Sequence, residues 1–407
     1  MLTPGREVTV FFPGDRQPFE SFGPCFLAGK RPPAFETVEF LGQHRTGRAA
    51  VRRQCPDCPG VYGMIDADGR LIYVGKARRL ARRMASYLYA VDPDTKAHRI
   101  IERTKRIVWE PAPTEFAALV RELELIRRWQ PQFNVAGRPG RRRRAYVCIG
   151  RDPAPYVHLA ARPAAPAAAV FGPVAGGGPA REAVRRLNDY FMLRDCPQNV
   201  PLGYRDQLPL FVLDRSAACL RFEIGTCLGP CVEASTRRTY FAHVRRARAF
   251  LEGTDARPLA ELERRMNDAA AGRQFELAAA LRDTWRDLSW LAEQLARLRE
   301  VRGTYRFVYP QPGYHGRAMW FVIRGGHLIA SVREPSTRAA AARTAALVER
   351  SFAGQDASGD VDLLLLVAAW FRKYPQELEC TLRPDVARQR CLDRRKWRRS
   401  AAFRQAG

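Results

Sequence analysis

Two short runs of strongly β-forming residues constrain this chain more than anything else in it. They are Gly60-Val-Tyr-Gly-Met-Ile65 and Leu71-Ile-Tyr-Val-Gly75, separated by Asp66-Ala-Asp-Gly69. β-Branched and aromatic side chains favour pleated backbone, and a short Gly-containing break between two such runs closes a hairpin. The residues downstream of the hairpin narrow the fold further. Residues 78–87 have helical spacing, with Leu80, Met84 and Tyr87 on one side and a basic face opposite. A second helix is predicted over 95–103 and a third strand at Ile107-Val-Trp109. A strong amphipathic helix is predicted over 115–129, stopped by Gln130-Pro131. Hairpin, two helices, strand and helix in so short a span predict a small α/β domain built on a mixed three-stranded sheet with helices.

The rest of the chain reads less sharply. Residues 1–54 are rich in Gly, Pro and Arg with weak periodicity and are read as an extension. Beyond the hairpin unit comes Gly137-Arg-Pro-Gly-Arg-Arg-Arg-Arg144, then strands at 146–149 and 156–159 and a helix over 179–191. A cysteine-bearing segment runs from Cys196 to Cys231, a helix covers 237–251, and 258–298 reads as two helices broken near Ala271-Gly-Arg-Gln274. Strands including Trp320–Ile323 and Leu328–Val332 flank Gly325-Gly326, and beyond them lie helices and a basic tail, Arg394–Arg399.

Charge narrows the function. Across 407 residues, Lys+Arg 68 against Asp+Glu 42 leaves a net charge of +26, while a hydrophobic share of 46% provides enough apolar residue for real cores. A folded chain this basic points to a polyanion, most simply nucleic acid. With only six lysines, codon bias explains the preference for arginine but not the missing acids. No apolar leader segment is apparent, and the longest apolar run, 361–371, has 11 residues and contains Asp362, too few for a membrane span. A soluble, cytoplasmic protein is expected, whose ten cysteines are thiols or metal ligands before they are disulfides.

Tyr62 and Tyr73 occupy matching places on the two predicted strands, and cross-strand packing alone would account for them. They belong to a larger set. Lys76 comes next, then Arg83 and Tyr87 at i, i+4 on one helix, then Glu122 and, twelve residues on, Asn134 in Gln-Pro-Gln-Phe-Asn-Val135. In order and spacing this resembles the GIY-YIG nuclease family and, within it, the UvrC-like excinucleases. Val61 and Val74 stand where the family name has isoleucine, and Ala117 and Arg121 depart from the residues usual before the glutamate. The chemistry is coherent by itself. One carboxylate, Glu122, suits a single Mg²⁺ or Mn²⁺ that keeps several waters. Arg83 can fork phosphate oxygens, and a phenol serves as a base only if nearby cations such as Lys76 and Arg83 lower its pKa. The resemblance implies that Tyr62 is the general base, that Tyr73, Tyr87 and Lys76 position water and phosphate, and that Asn134 orders the site. Arg78, Arg79 and the run Arg141, Arg142, Arg143 and Arg144 are expected to contact the DNA backbone, although a solvated arginine loop is an equally simple account of the run.

Cys196, Cys219, Cys227 and Cys231 are separated by 22, 7 and 3 residues, without the tight pairs of zinc ribbons. Four thiolates suit iron–sulfur and zinc alike; the resemblance implies a [4Fe–4S] cluster, with Zn²⁺ as the alternative. Cys55 and Cys58 form a lone C-x₂-C, half of a zinc site with no second pair. The helical pair after residue 258 resembles the UVR hairpin, which implies docking on a UvrB-like helicase subunit through Met266, Phe275 and Leu281. The expected division is therefore 1–54 extension, 55–150 GIY-YIG nuclease domain, 151–250 Cys-rich metal-binding region, 251–300 helical hairpin and 301–407 small α+β remnant. The resemblance fades after about residue 335 and implies no second nuclease or helix-hairpin-helix module, hence one incision, 3′ of a lesion in damaged double-stranded DNA. A stand-alone Cho-like repair nuclease and a non-cleaving DNA-binding homologue are the alternatives.

Overall fold

The computed structural model describes residues 18–27, 34–39, 45–88, 92, 94–134, 144–162, 167–196, 200–206, 219–314, 316–354 and 359–393. The chain forms two units, one from residues 1–141 and 301–407, the other from 142–300. Arg141–Arg143 and the basic tail lie outside the described residues.

The first unit begins with β1 (Glu36–Glu39), α1 (Arg45–Gln54), β2 (Gly60–Ile65), β3 (Leu71–Ala77), α2 (Leu80–Leu88), α3 (Lys96–Arg103), β4 (Arg106–Pro111) and α4 (Glu115–Trp129). The strands form one antiparallel sheet in the order β1-β4-β2-β3. The hairpin forms as expected, its turn held by Asp66 Oδ1, which accepts the Asp68 and Arg70 N–H groups at 3.1 and 2.8 Å. Four strands stand where three were expected, because β1, from the presumed extension, pairs with β4. Its sequence Glu-Thr-Val-Glu turns only Val38 inward, the composition of a charged edge strand rather than of an alternating one. The extension also lays Phe19 and Phe22 into the core.

Side chains alternate across this sheet. Tyr62, Met64, Ile72, Ile107 and Trp109 pack with α2 and α3 on one face. Val61, Ile65, Val74 and Val108 pack on the other with Phe19, Phe22 and the Ala118, Leu125 and Ile126 side of α4. The opposite side of α4 is just as buried. Phe116, Ala117 and Val120 meet Phe307, Tyr309, Phe321, Ile323 and Trp370 from the C-terminal region. Each large side chain so enclosed contributes roughly 1.5–3 kcal/mol. Thr114 caps the start of α4, its side chain accepting the Ala117 N–H, and Gln130 ends it in a left-handed conformation.

The other unit contains β5 (Arg144–Ile149), β6 (Val157–Ala160), β7 (Ala169–Ala175), α5 (Gly178–Tyr190), the single turn α6 (Leu220–Glu223), α7 (Arg237–Glu252), α8 (Arg257–Ala271) and α9, which runs from Phe275 to Thr304. Its antiparallel sheet has the order β6-β5-β7. One core joins the sheet, α5, α7, α8 and α9, so residues 151–250 and the helical pair share their packing.

Residues 301–393 return to the first unit as β8 (Arg306–Gln311), β9 (Met319–Arg324), β10 (His327–Arg333), α10 (Arg338–Phe352), α11 (Val361–Lys373) and α12 (Pro384–Leu392). The sheet β10-β9-β8 is an antiparallel meander. One face meets α4 and α11, the other α10 and α12. α4 is thus held between two sheets. Among the described residues no helix is long and apolar enough to cross a membrane.

Candidate active site

β3 lies at the edge of its sheet, so the backbone groups on its outer side need partners from elsewhere. They find them at every second residue. Ile72 O accepts the Phe133 N–H at 2.9 Å. Asn134 accepts the Val74 N–H at 2.8 Å and donates to its carbonyl at 2.6 Å. Glu122 Oε1 accepts the Lys76 N–H at 3.0 Å. The residues that close this edge are the ones the sequence singled out, and in closing it they bring the carboxylate to the tyrosines.

Tyr62 stands opposite Gly75 in the hairpin, and its phenol lies across that glycine. A Cβ at Gly75 would collide with the Tyr62 hydroxyl. The Tyr62, Tyr73 and Tyr87 rings form a triangle with centroids 6.0, 5.8 and 6.2 Å apart. Arg83 and Tyr87, one turn apart on α2, lock onto it. Arg83 Nε donates to the Tyr62 hydroxyl at 3.1 Å, an Nη2 N–H reaches the Tyr87 hydroxyl at 3.4 Å, and Tyr62 donates to Tyr87 at 3.2 Å.

The electrostatics depart from one expectation. Arg83 does pull the Tyr62 phenol toward ionisation, but burial, with Tyr73 and Tyr87 beside it, outweighs that pull and holds its pKa well above the usual range. Burial and Tyr87 push Tyr73 up to about 12. The expected help from Lys76 goes elsewhere, because its ammonium is 2.8 Å from Glu115. Burial also raises Glu122, against the Lys76 N–H and the charges of Lys76 and Arg83. The Tyr62 and Tyr73 phenols are therefore neutral.

Glu115 was not among the expected site residues. Thr114-Glu115 belongs to the pattern that leads into the helix, but an acid in the first turn is a common companion of the helix dipole, and no site role was assigned to it. Arg121 had stood out only as a departure. Its side chain is 2% exposed and forks Glu110 at 2.9 and 3.0 Å. It also donates to Glu124 and to the Gly23 and Pro24 carbonyls. This buried anchor sets the rotation of α4 and so the direction of Glu122, its neighbour.

The remaining expected residues are spread out. Arg79 forks Asp57, and Arg78, 82% exposed, lies 3.9 Å from Glu115. Arg144 is the first residue of β5, in the other unit. Cys55 and Cys58 are buried with Val51 and Leu80, and burial pushes the Cys55 thiol up to about 12. In the second unit Cys227 accepts the Gly229 N–H at 3.4 Å, and Arg194 donates to Cys196 at 3.2 Å. Cys231 lies within electrostatic range of Cys219 and Cys196, and Cys227 of Cys219 and Cys231. Among the described residues no three His, Cys, Asp or Glu side chains are gathered closely enough to hold a metal ion, so the structure does not assemble the expected four-thiolate site. Of the expected docking residues, Leu281 is buried and Met266 packs against the same core, so both are used within the unit. Phe275 is exposed, and so is Leu277 beside it.

Residues 58–135 match the UvrC-like GIY-YIG domain, and residues 145–250 match the UvrC/Cho excinuclease middle domain. UvrABC system protein C of Saccharophagus degradans is 31% identical over 264 residues, 65% of this chain and 39% of that protein. The same protein of Syntrophus aciditrophicus is 34% identical over 277 residues, 67% and 41% respectively. The chain thus spans about two fifths of the length of these relatives. Among solved structures, the magnesium-bound GIY-YIG N-terminal endonuclease domain of UvrC from Thermotoga maritima is 32% identical. The likeness covers 23% of this chain and 100% of that one, with a TM-score of 0.21. The chain thus carries a UvrC-like GIY-YIG domain at residues 58–135 and a UvrC/Cho excinuclease middle domain at residues 145–250, and is similar to UvrABC system protein C over about two thirds of its own length.

Proposed function

We propose that the chain is a metal-dependent DNA endonuclease of nucleotide excision repair, cutting one phosphodiester 3′ of a lesion in DNA held by a UvrB-like helicase subunit. The observation that carries this reading is the convergence of Tyr62, Tyr73, Arg83, Tyr87 and Glu122 at the outer edge of β3. Arg83 spends two donors on phenols and keeps others for phosphate oxygens. Glu122, a lone carboxylate held by a backbone N–H, fits a hard cation that retains most of its water. A Mg²⁺ or Mn²⁺ ion bound there supplies positive charge beside the phosphate and the leaving oxygen. To act as general base for the attacking water, Tyr62 needs its raised pKa brought down, and Arg83 supplies part of the required positive field. Tyr73 and Tyr87 hydrogen-bond water and phosphate, and Asn134 keeps β3 in register.

Two further parts belong to the same reading. Cys196, Cys219, Cys227 and Cys231 supply thiolates to one soft centre, [4Fe–4S] or zinc, and the iron, sulfide and zinc content of anaerobically purified protein decides between them. Phe275 and Leu277, exposed at the start of α9, offer the apolar surface for the UvrB-like partner. The setting is the cytoplasm, where the DNA is.

The test is nicking of a duplex bearing one bulky lesion, in Mg²⁺, with and without UvrB, and with Glu122→Gln as control. Incision 3′ of the lesion that requires UvrB and is lost in the variant is the expected result. Incision without UvrB supports a stand-alone Cho-like nuclease. DNA binding without incision in either case overturns the enzymatic reading.

A further inference from the structure

Residues 301–393 lie outside both matched stretches, yet by two routes they reach the start of α4 around Glu115, the partner of Lys76. The first is the connection between β8 and β9. Gln311 Oε1 accepts the Phe116 N–H at 3.1 Å, and the Tyr314 N–H donates to Pro113 O at 2.9 Å. These two bonds bracket Thr114 and Glu115, and Glu115 holds Lys76 and faces Arg78. Gly316 N–H closes onto Gly313 O at 3.1 Å, and a Cβ at Gly313 would collide with Arg317 O. Arg317 is itself fixed to Ser336 Oγ at 3.1 Å. The Tyr314 side chain is 52% exposed and lies within electrostatic range of Arg79. The second route is the end of α11. Arg372 and Lys373 are exposed there, and Lys373 lies within electrostatic range of Glu115.

A half-exposed aromatic ring set among arginine and lysine is the composition of a platform for an unpaired nucleotide. The ring gives sequence-tolerant stacking and the cations take the backbone. A tyrosine has only two side-chain torsions to lose on binding. We propose that Tyr314 and Lys373 form a strand-contact surface beside the nuclease pocket: the Tyr314 ring stacks on an unpaired nucleotide flanking the scissile phosphate, and Lys373, with Arg78, contacts the neighbouring phosphates. The inference rests on the nuclease reading and adds what that reading lacks, a preference for substrate opened next to the cut.

The experiment uses the full chain carrying Glu122→Gln, so that binding is measured without cleavage. Two DNAs are compared, one with an unpaired flank and one fully paired. Tyr314→Ala is expected to weaken binding to the unpaired flank about tenfold and to leave the paired duplex within about twofold, with the melting temperature unchanged and Tyr314→Phe restoring affinity. Lys373→Ala is expected to lower the salt dependence on both DNAs by about one phosphate contact. Equal affinities for Tyr314→Ala and its parent on the unpaired flank, or an equal loss on both DNAs, overturn the proposal. The unsubstituted chain is assayed for nicking in parallel. If it nicks while Tyr314→Ala binds normally, the surface fails alone. If it does not nick while Tyr314→Ala still loses the unpaired flank, the surface stands and the catalytic reading fails.

Discussion

Gly75 lacks a side chain in the one place where the Tyr62 phenol needs room. Gly75→Ala is therefore expected to push the phenol off the Arg83 Nε bond with little change in the fold. Misplacing a reacting group by about 1 Å costs roughly 10²-fold in rate. Single-turnover nicking together with a thermal melt checks this, and unchanged nicking would show that the phenol tolerates displacement. Glu122 carries a second expectation, with opposite signs for activity and stability. Burial holds its carboxyl above the ordinary range, so the folded protein binds that proton more tightly than the unfolded chain does. The carboxylate then costs stability at neutral pH, and the cost disappears as pH falls below the unfolded value of about 4.3. Glu122→Gln should abolish nicking yet raise the melting temperature at neutral pH, the difference from the parent closing in acid. A lower melting temperature at neutral pH would refute the sign. The tyrosines, Arg83 and Glu122 were legible as a set through the family resemblance that their order and spacing carry; the residues alone would have been read as cross-strand packing. The partner of Lys76 was not, because Glu115 comes 39 residues later and the pairing depends on how α4 crosses the sheet.

At the scale of elements, the outer edge of β3 shows how one requirement can serve two ends. Its backbone groups must be satisfied, and Asn134 and Glu122 satisfy them while ordering the pocket. Asn134→Ala strands both the N–H and the C=O of Val74, at a cost of about 1–3 kcal/mol. Urea unfolding should show a lower midpoint with an unchanged slope; a midpoint equal to the parent's would mean that water replaces the amide without loss. Asn188 makes the same pair of bonds to Val157 in the other unit, at 3.0 and 2.7 Å. The hairpin and the long helices were readable because their periodicity is strong. β1 and β7 were not. Glu-Thr-Val-Glu has no apolar alternation, and Ala-Val-Phe-Gly-Pro-Val-Ala contains Gly and Pro, residues that argue against a strand unless tertiary pairing overrides them.

For the whole molecule, net charge indicated a polyanionic partner but not which surface meets it. On α8 and α9 many arginines are answered by acids on the same helix, as in Arg264 with Glu261 and Asp268 and Arg297 with Glu293, so composition overstates the basic surface there. Nor could the sequence show that residues 301–393 pack on α4, a contact between elements nearly 200 positions apart. A chain ended at residue 300 leaves Phe116 and Val120 uncovered. It should melt well below the full chain and bind hydrophobic dyes, measurable by calorimetry and dye fluorescence; equal melting would show that the first sheet alone supports the helix.

That long-range contact also has a clock. The N–H of Phe116 waits for Gln311, 195 residues downstream. At synthesis rates of ~5–20 residues per second the wait is about 10–40 s. Until then the helix that carries Glu122 has only one of its two walls. On the nascent chain the Phe116–Val120 face of that helix therefore stays open to water, and it is covered only as residues 301–393 emerge.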